Sequence, residues 1–134
     1  MRRALPALLP PLLIAAVCVF ACASCGDSTT NPDTDIVFPD SGVSYSRHVQ
    51  PFMTLRCAVS GCHDDQTRAS NLSLTTFVNS TARPGIIVPG NSNSSVLVQR
   101  IDGRLPHPFN VPIIINTQQL NGIKRWIDEG AKSN

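Results

Sequence analysis

The segment Cys57-Ala58-Val59-Ser60-Gly61-Cys62-His63 constrains this chain more than any other, because it sets two thiols four residues apart with an imidazole directly after the second. The other three of the five cysteines, Cys18, Cys22 and Cys25, stand near the N-terminus, so Cys57 and Cys62 act with each other or with His63. The nearest known chemistry is haem attachment, commonest as C-x-x-C-H, of which this is a longer C-x4-C-H form. In that chemistry the two thiols add across the haem vinyl groups to give thioethers, and the adjacent histidine is delivered to the iron as proximal ligand. Ser60-Gly61 gives the longer loop the slack to bulge away from the ring. Three other uses compete. A Cys57–Cys62 disulfide is allowed in an exported protein and leaves His63 incidental. A structural zinc site wants four ligands, and the only other histidines are His48 and His107. A redox dithiol usually stands as C-x-x-C at a helix N-terminus after a strand, a context missing here.

Aromatic residues make up only 5% of the 134 residues, with one Trp and one Tyr. A protein-only core would be thin, so another apolar body is expected to fill it. The length fits one domain plus a tail. With Arg2 and Arg3 assigned to a leader, the eleven basic residues fall to nine, equal to the nine acidic ones. That neutral balance excludes a nucleic-acid footprint and a polybasic lipid patch.

Met1-Arg2-Arg3 followed by the apolar run Ala4 to Ala21 has the layout of an export signal. Pro6, Pro10 and Pro11 break its first half, which disfavours a retained spanning helix. The stretch Val19-Phe20-Ala21-Cys22-Ala23-Ser24-Cys25-Gly26-Asp27 resembles a bacterial lipoprotein signal, in which a cysteine after small residues is acylated. Cys25 is the assigned lipid attachment site, with Cys22 as competitor and a plain signal peptide as the alternative. The expected organisation is a signal peptide over 1–24, a flexible polar tether over 25–42 and a folded domain over 43–134. Acyl chains would then hold the domain at a membrane without a spanning segment.

Within the domain, Val49, Phe52 and Met53 recur at helical spacing, and Pro51 falls where a first turn tolerates it. A short helix is expected to run from there to the cysteines, and a helical turn is possible among Leu72, Leu74 and Phe77. Ser92 or Ser94 can cap a helix with Val96, Leu97 and Ile101 inward, closed by Gly103. Leu105 to Ile115 reads as an ordered loop. Asn116 or Thr117 caps the clearest helix, with Leu120, Ile123, Trp126 and Ile127 on one face and Gly130 as its stop. No repeat and no sustained strand alternation are present, so the class is all-α with long loops. The glycosylation sequons at Asn71, Asn79 and Asn93 are chance matches beside a lipoprotein-type leader.

The run Val43-Ser44-Tyr45-Ser46-Arg47-His48-Val49-Gln50-Pro51-Phe52, then Cys57 to His63, Val88-Pro89-Gly90-Asn91-Ser92, Ser95 to Ile101 and Trp126-Ile127-Asp128-Glu129-Gly130-Ala131, resembles in order the planctomycete-type cytochrome c domain. The likeness covers about residues 43 to 131. It implies a class I cytochrome c-like fold, in which an N-terminal and a C-terminal helix cross beside one covalently bound haem c. Phe52 and Trp126 are the expected crossing residues, and the porphyrin answers the thin core. The chain departs from the family twice. His48 replaces an Asp that caps the first helix, leaving Ser44 or Ser46 to do so. The Met-Pro step before the last helix is missing, and His107-Pro108 stands near its place. Met53 lies on the attachment side, so His107 is the expected distal iron ligand opposite His63. His48, an open position and a solvent-facing His107 are the alternatives.

The resulting expectation is a non-enzymatic, exported, lipid-anchored mono-haem cytochrome passing electrons between redox partner proteins at the cell envelope. Cys57 and Cys62 attach haem, His63 and His107 ligate iron, and Pro89 with the 104–115 loop shapes the pocket. One rival is a small-ligand binder or sensor with Val111, Ile113, Ile114 and Ile115 enclosing an open sixth position. Another is a haem-free interaction domain closed by a disulfide.

Overall fold

A computed structural model describes residues 36–108 and 114–134. The signal peptide, Cys22, Cys25, the tether up to residue 35, Val111 and Ile113 lie outside the described residues. Among those described there are helices and turns and no strand, an all-α architecture.

The first helical unit is a π-helical turn, Tyr45–Val49, running directly into α1, Gln50–Arg56. Its start is capped twice over. The Ser44 hydroxyl accepts the Arg47 N–H, and His48 Nδ1 accepts the Ser44 N–H at 3.0 Å, closing the entry reciprocally. His48 thus does capping work where an acidic residue was expected, and its ring packs on Phe38, with centroids 5.9 Å apart. Pro51 sits in the first turn of α1, where its missing N–H costs nothing. Thr54 returns its hydroxyl to the Gln50 carbonyl, and the helix ends at Cys57.

The C-terminal α4, Thr117–Asp128, carries a capping box: Asn116 accepts the Gln119 N–H and the Gln119 side chain accepts the Asn116 N–H. Gly130, at a φ of +101°, ends it. Ile123, Trp126 and Ile127 are buried on the inner face. Across it lies the π-helical turn rather than α1. Tyr45 is the aromatic that meets Trp126, with centroids 5.6 Å apart, while Phe52 packs edge-on against Phe38. The expected Phe52–Trp126 pairing is therefore replaced by a Tyr45–Trp126 pairing, with Tyr45 at the start of the π-helical turn.

The expected tether gives way to structure at residue 36. Phe38 is 5% exposed and lies on Gly122, where an added Cβ would come within 2.1 Å of its ring. Gln118 donates to the Phe38 carbonyl, and the Glu129 carboxylate takes the N–H groups of Gly42 and Val43. Residues 36–42 are thus a strap across the helical seam.

Between these ends the chain makes α2, Phe77–Thr81, capped by Thr76, and α3, Val96–Ile101, preceded by a 3-10 turn at Ser92–Ser94 that Asn91 caps. Ser95 opens α3 without a side-chain cap; its hydroxyl takes the Val88 N–H and donates to the Asn91 carbonyl. Asp128 of α4 accepts both the N–H and the hydroxyl of Ser92, tying this middle segment to the C-terminal helix. Buried Leu97, Val98 and Ile101 make α3 a wall between the aromatic seam and the functional site.

Candidate functional site

The end of α1, the loop after it, α3 and the segment before residue 109 enclose a cavity of about 250 Å³. It is partly open to solvent, and a concave, mostly apolar space with a few polar groups converging on it is the usual form of a ligand site. Leu72, Leu74, Ile86, Val96, Leu97 and Ile101 supply its apolar surface, and Cys57, Cys62, His63 and His107 its reactive groups.

The loop that carries the two cysteines is built by its own hydrogen bonds. Cys57 and Ala58 both donate to the Met53 carbonyl, Cys62 to Val59 and His63 to Cys57. Gly61 adopts a φ of +84°, a conformation in which any other residue would be strained. Asp64 then fastens the exit, accepting the N–H groups of Gly61, Gln66 and Thr67. The Thr67 N–H, helped by Gly61 and Gln66, holds the Asp64 carboxyl below the usual carboxylate range. Asp65 gathers Ser73, Thr75 and Asn79 in the same way. Neither aspartate stood out in the sequence, although an Asp ahead of a loop is the usual signal for such turns.

Cys57 and Cys62 are free thiols. Burial pushes the Cys57 thiol up to about 12, with Cys62 adding to the shift and Arg56 opposing it. Redox and nucleophilic cysteines are lowered instead, so Cys57 has the environment of a protonated thiol. Among the described residues no three His, Cys, Asp or Glu side chains converge as a metal cage.

Two imidazoles stand close together in the cavity lining. The rings of His63 and His107 stand 6.0 Å apart between centroids, with planes inclined at 76°. His63 Nδ1 lies 3.1 Å from the Leu72 carbonyl and His107 Nδ1 lies 2.7 Å from the Pro108 carbonyl. A carbonyl only accepts, so both Nδ1 atoms carry the proton, and in the neutral ring the lone pair is on Nε2. A ligating histidine usually donates its other ring N–H to a backbone carbonyl or carboxylate in just this way.

The remaining expectations divide. His48 is taken up by the helix entry and does not line the cavity, and Met53 is fully buried in the aromatic core. Pro89 is exposed and also stands off the cavity. Its turn meets the C-terminal helix, where Gly90 donates to the Ile127 carbonyl at 2.7 Å. Ile114 is 70% exposed and Ile115 packs against the core, so neither encloses a distal pocket. Sequence reasoning missed Arg56, Arg83 and Arg100, which join the cavity lining from three separate segments. No pattern in the chain connects them. No helix of the described residues is long and apolar enough to cross a membrane. Set against known protein families, curated proteins and solved structures, the chain gives no match.

Proposed function

We propose that this protein is an exported mono-haem c-type cytochrome with a class I cytochrome c-like fold, an electron carrier rather than an enzyme. The observation that carries the reading is that His63 and His107 line one cavity with their rings 6.0 Å apart between centroids, close enough for both to serve a single iron. The donor set fits haem in three further respects. Cys57 and Cys62 line the same wall as His63, the surrounding residues are aliphatic, and both histidines have Nδ1 tied to a backbone carbonyl. When bound, haem would supply a one-electron iron couple inside a cavity that the polypeptide does not fill itself.

In this reading each residue has a defined task. Cys57 and Cys62 would hold the prosthetic group as thioethers, each S–H being consumed by addition to a vinyl group. His63 and His107 would offer Nε2 to the iron, and the carbonyls of Leu72 and Pro108 fix their tautomers and orientations. Aliphatic Leu97 and Ile101 exclude water, which keeps the polarity around the iron low. Ligation by two histidines places the potential below that of a His/Met cytochrome, because methionine ligation raises it. Lipid attachment at Cys25 would keep the carrier at the envelope membrane beside its redox partners.

The test is to co-express the protein with haem-maturation factors and compare His107→Ala with His48→Ala. Retained haem with loss of the six-coordinate low-spin spectrum is expected for His107→Ala, and an unchanged spectrum for His48→Ala. An unaltered low-spin spectrum in His107→Ala would remove the distal assignment.

A further inference from the structure

The charged part of the cavity has one sign. Its lining includes three guanidinium side chains, Arg56, Arg83 and Arg100, and no carboxylate. A neutral apolar ligand would gain nothing from that arrangement, whereas cations at the rim of a hydrophobic surface, with Arg83 exposed and Arg100 half-buried, suit a ligand that is apolar over its face and acidic at one edge. Arg56 neighbours Cys57 and so belongs to the attachment wall. Arg83 and Arg100 come from other segments, and each is held by one end. Arg83 Nη1 donates to the Ser70 carbonyl at 2.6 Å, and Arg100 Nη1 donates to the Pro106 carbonyl. A guanidinium has five N–H donors in a planar fork, so each side chain keeps donors beyond the one that pins it.

The Arg83 anchor is itself unusual. Ser70 is in the left-handed region at a φ of +57°, as are its neighbours Arg68 and Asn71. Non-glycine residues there are strained, and such strain collects where a segment is held for a purpose. Here it turns the Ser70 carbonyl toward Arg83. Arg100 does a second job, since the carbonyl it holds belongs to the residue before His107.

We infer that Arg83 and Arg100 form a two-point clamp for the carboxylates of the bound prosthetic group, so that the cavity selects a flat apolar ligand with an acidic edge. This rests on the haem reading, in which those carboxylates are the two propionates. The clamp would keep both ionised and place positive charge near the iron, favouring the reduced state and holding the potential flat with pH.

The experiment is a redox titration against pH of the haem-loaded protein as wild type, Arg83→Gln, Arg83→Lys, Arg100→Gln and the double Gln variant. Arg68→Gln serves as control, since Arg68 pairs with Asp65 and does not line the cavity. Each Gln variant is expected to have a lower midpoint potential at alkaline pH and a slope with pH across the neutral range, as the freed carboxylates take up protons. The double variant should show the larger shift, and Arg83→Lys should recover most of the loss. Because Arg100→Gln also releases Pro106, the Arg83 pair carries the test if the low-spin spectrum of the Arg100 variant changes. Curves for the Arg83 variants that superimpose on wild type and Arg68→Gln would overturn the clamp while leaving the haem reading intact. A colourless wild type would overturn both.

Discussion

The aromatic seam and the cavity are adjacent regions of one small domain, and they are packed on opposite principles. In the seam, Phe38 meets Phe52 and Tyr45 meets Trp126 through ring contacts, and Phe38 lies on a glycine. In the cavity, aliphatic side chains surround space, and the polar groups among them are thiols, imidazoles and guanidiniums. Among the described residues the aromatic side chains, Phe38, Tyr45, Phe52, Phe77 and Trp126, are thus concentrated where the chain completes its own core. Where it does not, the proposed haem would complete the core.

The contrast can be broken by truncating one side chain in each region of the haem-free chain. Trp126→Ala is expected to cost about 3–5 kcal/mol, as for other large aromatics deleted from closed cores. Leu97→Ala should fall at or below about 2 kcal/mol, the low end for buried leucines, because one side of Leu97 has no protein neighbours to lose. Denaturant midpoints measure both. Equal costs would mean that the cavity wall is packed like the seam.

A smaller effect with a reversal of sign sharpens the account of the seam. Gly122→Ala puts a Cβ into the Phe38 ring and is expected to destabilise by about 1–3 kcal/mol through overpacking. In a Phe38→Ala background the clash is gone, and the same substitution should stabilise by up to about 1 kcal/mol from helix propensity alone. Equilibrium unfolding of the four proteins in this cycle checks the coupling.

The smallest effect concerns acid. Asp102, just after α3, is held below its ordinary value mainly by the Arg104 side chain, with the Arg104 N–H and Lys124 assisting. A lowered carboxyl contributes stability that is complete above its unfolded value near 3.8 and is lost as pH falls through the lower folded value. Asp102→Asn should therefore flatten the acid limb of the stability curve below about pH 4 and leave the neutral region displaced by a constant amount, as read by thermal unfolding at stepped pH.

Much of the helical frame was legible because local rules and tertiary packing agree there. Asn116, Gln119 and Gly130 mark the limits of α4, and Pro51 with Val49, Phe52 and Met53 marks the entry of α1. The π turn was not legible, since no spacing distinguishes it from an ordinary helix start. The strap was missed because Ile36-Val37-Phe38 is too short to show a period; its one signal was a glycine in the middle of the best helix, which usually means close approach of another group. Within the site, residues adjacent in sequence were readable and those joined only by folding were not. Cys57, Cys62 and His63 stand together in the chain, His107 was found through its proline neighbour, and Arg83 and Arg100 reach the cavity from loops and turns that no pattern connects.

The central claim is that the cavity between His63 and His107 is completed by covalently held haem. Absorption spectra of the protein matured with haem-attachment factors, oxidised, dithionite-reduced and then denatured, test it most directly. The account predicts sharp low-spin reduced bands and colour that stays with the chain after denaturation. A colourless protein whose Cys57 and Cys62 resist alkylation until reduced would contradict it and identify a disulfide-closed domain instead.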